Sequence, residues 1–426
     1  MGQTGRARCV ALAYSACVTP SALPDGEPAP YDGALPASAV AEVGTRGLSA
    51  YVHVPFCATR CGYCDFNTYT AAELGSAPGA SREAYLDAVS REVALARGVL
   101  ARGVLGDPPP FDTVFFGGGT PTLLDPAEQG GLLAHLRDAF GLAPDAEVST
   151  EANPDSVTLA SLAALVEAGF TRISFGMQSS APHVLRMLER THTPGRALDA
   201  VRWAREAGFS SVSLDLIYGT PTESLDDWRA TVEDALTADP DHVSAYSLIV
   251  EDGTRFAARV RRGEVPLPDE DDLADKYEVA DSLLRQAGLE WYEVSNWARP
   301  GHACRHNLAY WRGDDWWGFG PGAHSHVGGV RFWNVKHPRT YAGRLAEGLS
   351  PAAGRERLTA EDRRIERVLL ELRLREGVPT EVLTESERAR LPELVARGFL
   401  QEDGNRVSVS DPGRLLADAA VRELLD

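Results

Sequence analysis

Short apolar, β-rich runs alternate with amphipathic stretches of helical period from Leu48 to about Val250. The predicted strands are 49–54, 111–116, 146–151, 170–175, 210–215 and 242–248. The predicted helices between them lie near 81–104, 126–139, 156–168, 195–207 and 224–237. Strands that alternate with helices in this way form a parallel sheet with helical crossovers. Six such strands predict an α/β fold, an open, partial (β/α)6 barrel, whose functional groups gather where the strands end.

A second set of patterns follows this barrel. Residues 273–287 predict a helix and 290–294 a strand, and helical patterns recur at 359–375, 379–385 and 387–397. Two short β runs then meet at Asp403-Gly404, a good hairpin turn. Three helices and a hairpin predict a small winged-helix-like α+β domain that serves as a lid or docking unit. The predicted domains are therefore 1–46, 47–255, 256–354 and 355–426.

The amino-terminal segment, residues 1–46, is rich in Ala, Pro and Gly and shows no sustained period. We predict that it is largely disordered. Its apolar run Cys9–Val18 resembles a signal peptide but is short, and we interpret Met1 to about Cys17 as an over-extended start.

The composition of the chain limits the classes of function that it can have. With 426 residues and 44% hydrophobic residues the chain can bury a large core. The formal net charge of −19 argues against a nucleic-acid partner, which requires a basic surface. No apolar run approaches membrane-spanning length.

Three of the six cysteines, Cys57, Cys61 and Cys64, follow the first predicted strand closely. Three thiolates on one loop can hold three corners of a 4Fe-4S cube and leave the fourth iron open. Zinc is an alternative, but structural zinc takes four ligands and no second Cys pair lies nearby. The second alternative is a disulfide beside a free thiol, which is more typical of secreted proteins. The spacing favours a cluster, and an oxygen-sensitive cluster favours a reducing cytoplasm.

Glycines or polar residues end the other predicted strands. Gly118, Gly119 and Thr120 follow the second strand, where bare backbone lets a ligand approach; a tight turn is the alternative, and the Lys-Ser/Thr of a phosphate loop is missing. Glu151 and Asp215 end the third and fifth strands. Both acids also suit local capping or buried structural roles.

Residues 304–326 are dense in glycine and aromatic side chains. This density is unusual for a helix or strand, and it predicts a loop that lines a pocket for a flat apolar ligand. His or Cys there would be available as an axial ligand to haem iron. An aromatic core between domains, with hydrogen-bonded histidines, is the alternative that composition alone favours.

The cysteine loop resembles the radical S-adenosylmethionine (SAM) signature, Cys-x3-Cys-x2-Cys with an aromatic residue, Tyr63, before the last Cys. The run Tyr51–Cys57 extends the resemblance to the HemN/HemW branch, and His306-Asn307-x-x-Tyr310-Trp311 is similar to the HNxxYW motif of HemW-type haem chaperones. The resemblance implies a partial barrel with a 4Fe-4S cluster on the three cysteines. It implies that SAM is held by Tyr51, Tyr63, Gly118, Gly119, Thr120, Glu151, Gln178, Arg190 and Asp215. It implies that haem is held by His306, Asn307, Tyr310 and Trp311.

The same resemblance implies a haem chaperone that supplies haem-requiring acceptors such as respiratory enzymes, together with an electron donor. Further hypotheses are a homodimer bridged by the cluster loop and peripheral membrane contact through the acceptors. Two departures separate the chain from coproporphyrinogen dehydrogenases. Phe66 stands where those enzymes carry a fourth Cys, and their Gly-Pro-Arg-Tyr-Thr-Ser-Tyr-Pro type segment is missing. Coproporphyrinogen III oxidation, a HemN-like radical methyl transfer and a zinc-binding structural protein are the alternatives.

Overall fold

The computed structural model describes residues 24–75, 79–102 and 107–426. Its strands in chain order are β1 (Glu27–Pro28), β2 (Leu48–Val54), β3 (Phe56–Cys57), β4 (Tyr69–Thr70), β5 (Phe111–Gly118), β6 (Leu142–Ala152), β7 (Arg172–Gln178), β8 (Ser211–Tyr218), β9 (His242–Ser247), β10 (Glu290–Glu293), β11 (Asn296–Ala298), β12 (Asp315–Phe319), β13 (His324–Val327), β14 (Val330–Asn334), β15 (Ala352–Arg357), β16 (Val378–Pro379), β17 (Leu400–Asp403) and β18 (Arg406–Val409).

The α-helices are Ala37–Val40, Ala71–Leu74, Arg82–Leu100, Pro126–Phe140, Leu159–Ala168, Pro182–Met187, Arg196–Ala207, Leu225–Thr237, Arg255–Arg261, Glu270–Gln286, Arg305–Trp311, Pro338–Ala346, Ala360–Glu371, Glu385–Ala396 and Ala417–Leu425. Among the described residues, no helix is both long and apolar enough to cross a lipid bilayer.

The main sheet has a parallel centre and antiparallel flanks. Its order within the described chain is β1-β15-β14-β13-β12-β2-β5-β6-β7-β8-β9-β11-β10. The strands from β12 to β9 in this order run parallel to one another. The six strands predicted from the sequence are its centre, where they lie next to one another in chain order, so the predicted α/β radical SAM barrel is confirmed.

The two faces of the barrel sheet differ in polarity because side chains alternate along each strand. In β2, the residues Ala50, Val52 and Val54 join the main hydrophobic core with Ala88 and Val89 of the helix Arg82–Leu100. Burial of such side chains contributes roughly 1.5–3 kcal/mol each, and this face holds the helices to the sheet. The intervening side chains of β2 face the barrel interior.

The predicted disorder of residues 1–46 is wrong for the described part of that segment. Glu27 pairs with Arg355 in an antiparallel β1–β15 ladder, and Ala39 is completely buried. Ion pairs from Glu27 to Arg355 and Arg357 add to the ladder. These contacts lie more than 300 residues away in sequence, so local composition does not reveal them. Residues 1–23, with the run Cys9–Val18 and the predicted over-extended start, lie outside the described residues.

The prediction that residues 304–326 form a loop is also wrong. They contain the helix Arg305–Trp311, β12 and β13, and β12 pairs in parallel with β2. Gly318 permits the close approach of β13 to β12, because a Cβ there would collide with the backbone of His324. The boundary predicted at 255/256 therefore separates residues that build one continuous sheet.

The carboxyl-terminal domain contains the small sheet β16-β18-β17 and three helices, Ala360–Glu371, Glu385–Ala396 and Ala417–Leu425. The predicted hairpin is present as β17 and β18. The helix predicted at 379–385 is instead a short 3-10 turn, Thr380–Val382, and the last helix was not predicted.

Candidate functional site at the carboxyl ends of the barrel strands

The three clustered cysteines lie on the segment that leaves β2. Cys57, Cys61 and Cys64 are free, partly exposed thiols. Backbone hydrogen bonds position the segment: Gly62 donates to Leu188 O (3.2 Å) and accepts from Phe256 N (2.9 Å). Burial raises the pKa of Cys57 and raises that of Cys64 to about 12. Without a positively charged metal partner, Cys57 and Cys64 therefore keep their protons at pH 7.

The arrangement of these thiols distinguishes the two metal hypotheses. Within the described ranges, no three His, Cys, Asp or Glu side chains converge so that they could hold one metal ion. A zinc ion requires such convergence, because all its ligands bind one centre. A 4Fe-4S cube binds each thiolate at a different iron, so three thiols spread along a loop fit it.

Asn67 holds the far end of the cysteine segment against the turns that follow β12 and β14. Its Nδ2 donates to Lys336 O (2.9 Å) and Pro321 O (3.0 Å), and its Oδ1 accepts from the Tyr69 hydroxyl (3.1 Å). Its own carbonyl lies 2.9 Å from Nε2 of His53. Asn67 is 3% exposed, so every polar atom of its amide is satisfied inside the protein.

The glycine-rich turn after β5 lies directly against the cysteine segment. Gly119 N donates to Val54 O (2.8 Å), and Thr120 N donates to Phe56 O (2.8 Å). Gly118 has φ +108°, and a Cβ there would lie 2.5 Å from the His53 ring. Only glycine suits this position, and it brings bare backbone to the carboxyl edge.

Two half-buried acids, Glu151 and Asp215, stand at the same edge. Glu151 accepts a hydrogen bond from Gly118 N (3.1 Å), and Asp215 accepts one from Ser174 Oγ (2.9 Å). Burial raises the pKa of Glu151 to about 8, with a contribution from the negative charge of Asp215. Burial also raises the pKa of Asp215. Paired acids that are costly to ionise suit a cationic ligand.

Arg190 and Gln178 complete this edge beside the cysteines. Arg190 Nη2 donates to Gly176 O (2.9 Å), and its Nη1 lies 3.6 Å from Cys61 Sγ. Gln178 follows a bulge and has φ +66°. A Cβ at Gly176 would lie 2.8 Å from both side chains, so this glycine makes room for them. A cationic guanidinium is thereby held next to a cysteine sulfur.

The HNxxYW motif lies in the helix Arg305–Trp311, towards the amino ends of the strands. His306 is 2% exposed, with Nδ1 2.6 Å from Thr113 Oγ1 and Nε2 3.0 Å from the Tyr310 hydroxyl. Its ring stacks on Phe115 (5.1 Å between centroids) and Tyr51 (6.5 Å). The aromatic core with hydrogen-bonded histidines is therefore the arrangement found, rather than an open pocket.

The start of that helix rests on a carboxylate. Backbone N–H groups of Arg305 and His306 donate to Glu147 (3.2 Å each). Asn307 Nδ2 donates to Glu293 (2.8 Å), and burial raises the pKa of Glu293 to about 7. Two carboxylates thus contact the first turn of the motif helix.

The predicted residues accordingly fall into two groups. The first, at the carboxyl edge, comprises Cys57, Cys61, Tyr63, Cys64, Gly118, Gly119, Thr120, Glu151, Gln178, Arg190 and Asp215. The second, towards the amino ends, comprises His306, Asn307, Tyr310 and Trp311. Tyr51 lies between the groups, since it stacks near His306 and its hydroxyl lies 3.1 Å from His53 Nδ1. His53 and Asn67 were missed by sequence reasoning, because only their long-range contacts reveal them.

Residues 51–235 match the radical SAM superfamily, and residues 358–416 match the HemN C-terminal domain. The chain is 54% identical over 378 residues to heme chaperone HemW of Mycobacterium tuberculosis, covering 89% of this chain and 95% of that protein. It is 34% identical over 392 residues to heme chaperone HemW of Escherichia coli, covering 89% and 98%.

A solved structure covers nearly the same extent. Coproporphyrinogen III oxidase (HemN) from Escherichia coli, described as a radical SAM enzyme, superposes with a TM-score of 0.76 at 25% identity. The match covers 91% of this chain and 92% of that one.

Proposed function

Because the chain belongs to the radical SAM superfamily and, within it, to the heme chaperone HemW family, we propose that it binds haem and delivers it to haem-requiring proteins. The observation that supports this most is the identity of 54% over 378 residues, which covers 89% of this chain. Respiratory enzymes are the proposed acceptors, and a separate electron donor serves the cluster. We place this activity in the reducing cytoplasm, where a cluster with an open iron survives.

The carboxyl edge would hold the cluster and SAM. Cys57, Cys61 and Cys64 would each bind one iron. When bound, such a cluster supplies an open iron that chelates SAM and an electron that can cleave its sulfonium. The acids Glu151 and Asp215 would offset the positive charges of SAM, and Arg190 would pair with its carboxylate. Gly118, Gly119 and Thr120 would offer backbone groups to its amino group, with Gln178, Tyr51 and Tyr63 contacting the rest.

Oxidation of coproporphyrinogen III is the second candidate, favoured by the TM-score of 0.76 with HemN. Phe66 argues against it, since those enzymes carry a cysteine at this position. Because the chain has Phe66 in place of that cysteine, we propose a chaperone in which SAM cleavage is vestigial or regulatory.

Anaerobic titration of the cluster-reconstituted protein with haem, followed by its Soret band, tests this function. We expect stoichiometric binding, and transfer of the haem to an apo-protein of higher affinity when the two are mixed. Coproporphyrinogen III should remain unconsumed in the presence of SAM and reductant. SAM-dependent consumption of coproporphyrinogen III without haem binding would refute the chaperone and establish the enzyme.

A further inference from the structure

Thr68, at the end of the cysteine segment, has a buried hydroxyl group that no oxygen or nitrogen atom of the protein satisfies. The residue is 1% exposed, and its Oγ1 makes no hydrogen bond, although its backbone is engaged on both sides. Thr68 N donates to Phe66 O (2.7 Å), and its carbonyl accepts from the Arg60 guanidinium. An unsatisfied hydroxyl is costly away from water, so this one requires an acceptor of another kind.

The pairing of β3 with β4 places this hydroxyl group beside a cysteine. Cys57 lies opposite Thr70 in the parallel register, and Tyr69 N donates to Pro55 O (2.7 Å), which continues the pairing back towards Thr68. Side chains alternate between the two faces of a strand, so Thr68 and Thr70 project from the same face as Cys57. Thr68 is therefore the diagonal neighbour of Cys57 on that face.

The environment of the Cys57 sulfur agrees with this placement. Burial raises the pKa of Cys57, and the hydroxyl groups of Thr68 and Thr120 act against that rise. A hydroxyl group favours a thiolate when it can donate its proton to the sulfur. Thr120 reaches the sulfur from the turn after β5, whose backbone is fixed by the bond from Thr120 N to Phe56 O (2.8 Å). Two hydroxyl groups from different elements thus lie beside one sulfur.

The other two cysteines have donors of different kinds. Arg190 Nη1 lies 3.6 Å from Cys61 Sγ. Burial raises the pKa of Cys64 to about 12, and the backbone N–H of Phe66 acts against that rise. A donor of its own therefore serves each sulfur, and at Cys57 the donors are side-chain hydroxyl groups.

A second buried hydroxyl without a partner provides an internal comparison. Ser149 is 1% exposed, and its Oγ makes no hydrogen bond. It lies within β6, opposite Phe115 of β5 and Arg172 of β7, and not at the cysteine segment. Burial without a partner is thus common to Thr68 and Ser149, whereas the cysteine neighbour belongs to Thr68.

From this geometry we infer that the Thr68 hydroxyl group donates a hydrogen bond to the Cys57 sulfur of the bound 4Fe-4S cluster and thereby raises the reduction potential of that cluster. The inference rests on the proposed cluster at the carboxyl edge and identifies a residue that determines its redox property. Reduction adds one negative charge, part of which resides on the thiolate sulfurs. A donor to sulfur therefore stabilises the reduced form more than the oxidised form.

The test is a redox titration of the anaerobically reconstituted protein without SAM, with dithionite as the reductant and the electron paramagnetic resonance signal of the reduced cluster as the readout. Thr68→Val keeps the shape of the side chain and removes the hydroxyl group. Its midpoint potential should move to a more negative value, so that the ratio of reduced to oxidised cluster at the wild-type midpoint falls by about three- to tenfold, as for the loss of one hydrogen bond. Thr68→Ser, which keeps the hydroxyl group, should have the wild-type midpoint.

Ser149→Ala is the matched control, because it removes a buried hydroxyl group of the same kind without a cysteine neighbour. It should leave the potential unchanged. Resonance Raman spectra supply a second readout, since a hydrogen bond to sulfur weakens the iron–sulfur bond. The stretching frequency of the bonds between iron and cysteine should therefore rise in Thr68→Val and stay at the wild-type value in Thr68→Ser and Ser149→Ala.

A Thr68→Val protein with the wild-type potential would overturn the inference, as would equal shifts in Thr68→Val and Thr68→Ser or in Thr68→Val and Ser149→Ala. If Thr68→Val retains too little cluster for a titration, the same difference is expected between Thr68→Ala and Thr68→Ser, and its absence would overturn the inference equally. Iron and sulfide analysis separates these results from failure of the proposed function, in which the wild-type protein itself incorporates no cluster.

Discussion

Glu151 illustrates how one residue couples charge to ligand binding. Its buried carboxyl group, with a pKa raised to about 8, is mostly protonated at pH 7 when no ligand is present. A cationic ligand such as SAM favours the ionised form, so binding has to release this proton. The carboxyl group of Glu151 therefore changes from neutral to negatively charged when such a ligand binds.

We predict that the affinity for SAM rises with pH from 6.5 to 8.5, by up to about tenfold per unit below the pKa. Glu151→Gln should flatten this dependence and weaken binding at pH 8.5. Equilibrium dialysis of labelled SAM against cluster-loaded protein measures both. Glu128→Gln, in an exposed helix cap, is the control. A wild-type profile independent of pH would contradict the assignment.

Asn67 concentrates four contacts in one residue, and its loss would release the cysteine segment from Pro321 and Lys336. We predict that Asn67→Ala costs about 1–3 kcal/mol, because buried carbonyls lose their donors. The protein should also retain less iron and sulfide after anaerobic reconstitution and desalting. Asn405→Ala, in the exposed turn between β17 and β18, should retain both. Equal metal content in the two variants would show that the side-chain contacts of Asn67, which clamp the cysteine segment to Pro321 and Lys336, are not needed for metal binding.

At the scale of elements, the turn after β5 depends on one backbone conformation. Gly118→Ala is predicted to abolish SAM binding and to destabilise the fold by about 1–3 kcal/mol, since φ is +108° and His53 blocks the new methyl group. Calorimetry and SAM binding check the two effects separately.

Gly131→Ala is the matched control for this element. Gly131 lies in the helix Pro126–Phe140 with no atom within 4 Å of a new Cβ. This variant should gain roughly 0.5–1 kcal/mol, because alanine loses less entropy in a helix than glycine. If both alanine variants behaved alike, steric exclusion at Gly118 would not be the cause.

Elements with a clear local period were predictable, and those defined by distant partners were not. The barrel strands and their helices were found from alternation, the cysteines from their spacing, and Glu151 and Asp215 from their position at strand ends. The helix Arg305–Trp311 and β12 were mistaken for a loop, because their order depends on Glu147 and on pairing with β2. The clamp by Asn67 and the unpartnered hydroxyl group of Thr68 likewise exist only in three dimensions.

For the whole molecule, buried ionisable groups determine how stability depends on pH. Burial raises the pKa of Glu92 and Glu293 to about 7 and that of Glu151 to about 8, from 4.5. The stability that these glutamates contribute to the fold is fully present below pH 4.5 and is lost as the pH rises through their folded-state pKa values of about 7 to 8. Burial lowers the pKa of His53 to about 4 and that of His306 to about 3, so their contribution is present above 6.5 and lost towards those values.

Of these five residues, only the three glutamates titrate between pH 6.5 and 8.5, and the carboxyl group of Glu223, whose pKa burial also raises to about 7, acts in the same direction. We therefore predict that Tm falls by several degrees over this interval. A loss of 1 kcal/mol in the free energy of unfolding lowers Tm by roughly 2–4 °C for larger domains. Calorimetry of the cluster-free protein at constant ionic strength measures this, and Glu293→Gln should reduce the slope. A Tm that rises over this interval would contradict the predicted direction.

The pairing of β2 with β12 has a consequence during synthesis. β2 carries the cysteine segment, yet one of its neighbours is Asp315–Phe319 and the clamp on Asn67 involves Lys336. Partners so remote in sequence form late, since the intervening chain must exist first. On the ribosome, the segment proposed to hold the cluster lacks these partners until more than three-quarters of the protein has emerged. A cluster can therefore be assembled on the folded segment only after Lys336 has been synthesised, and until then the three thiols lack the contacts of the finished protein.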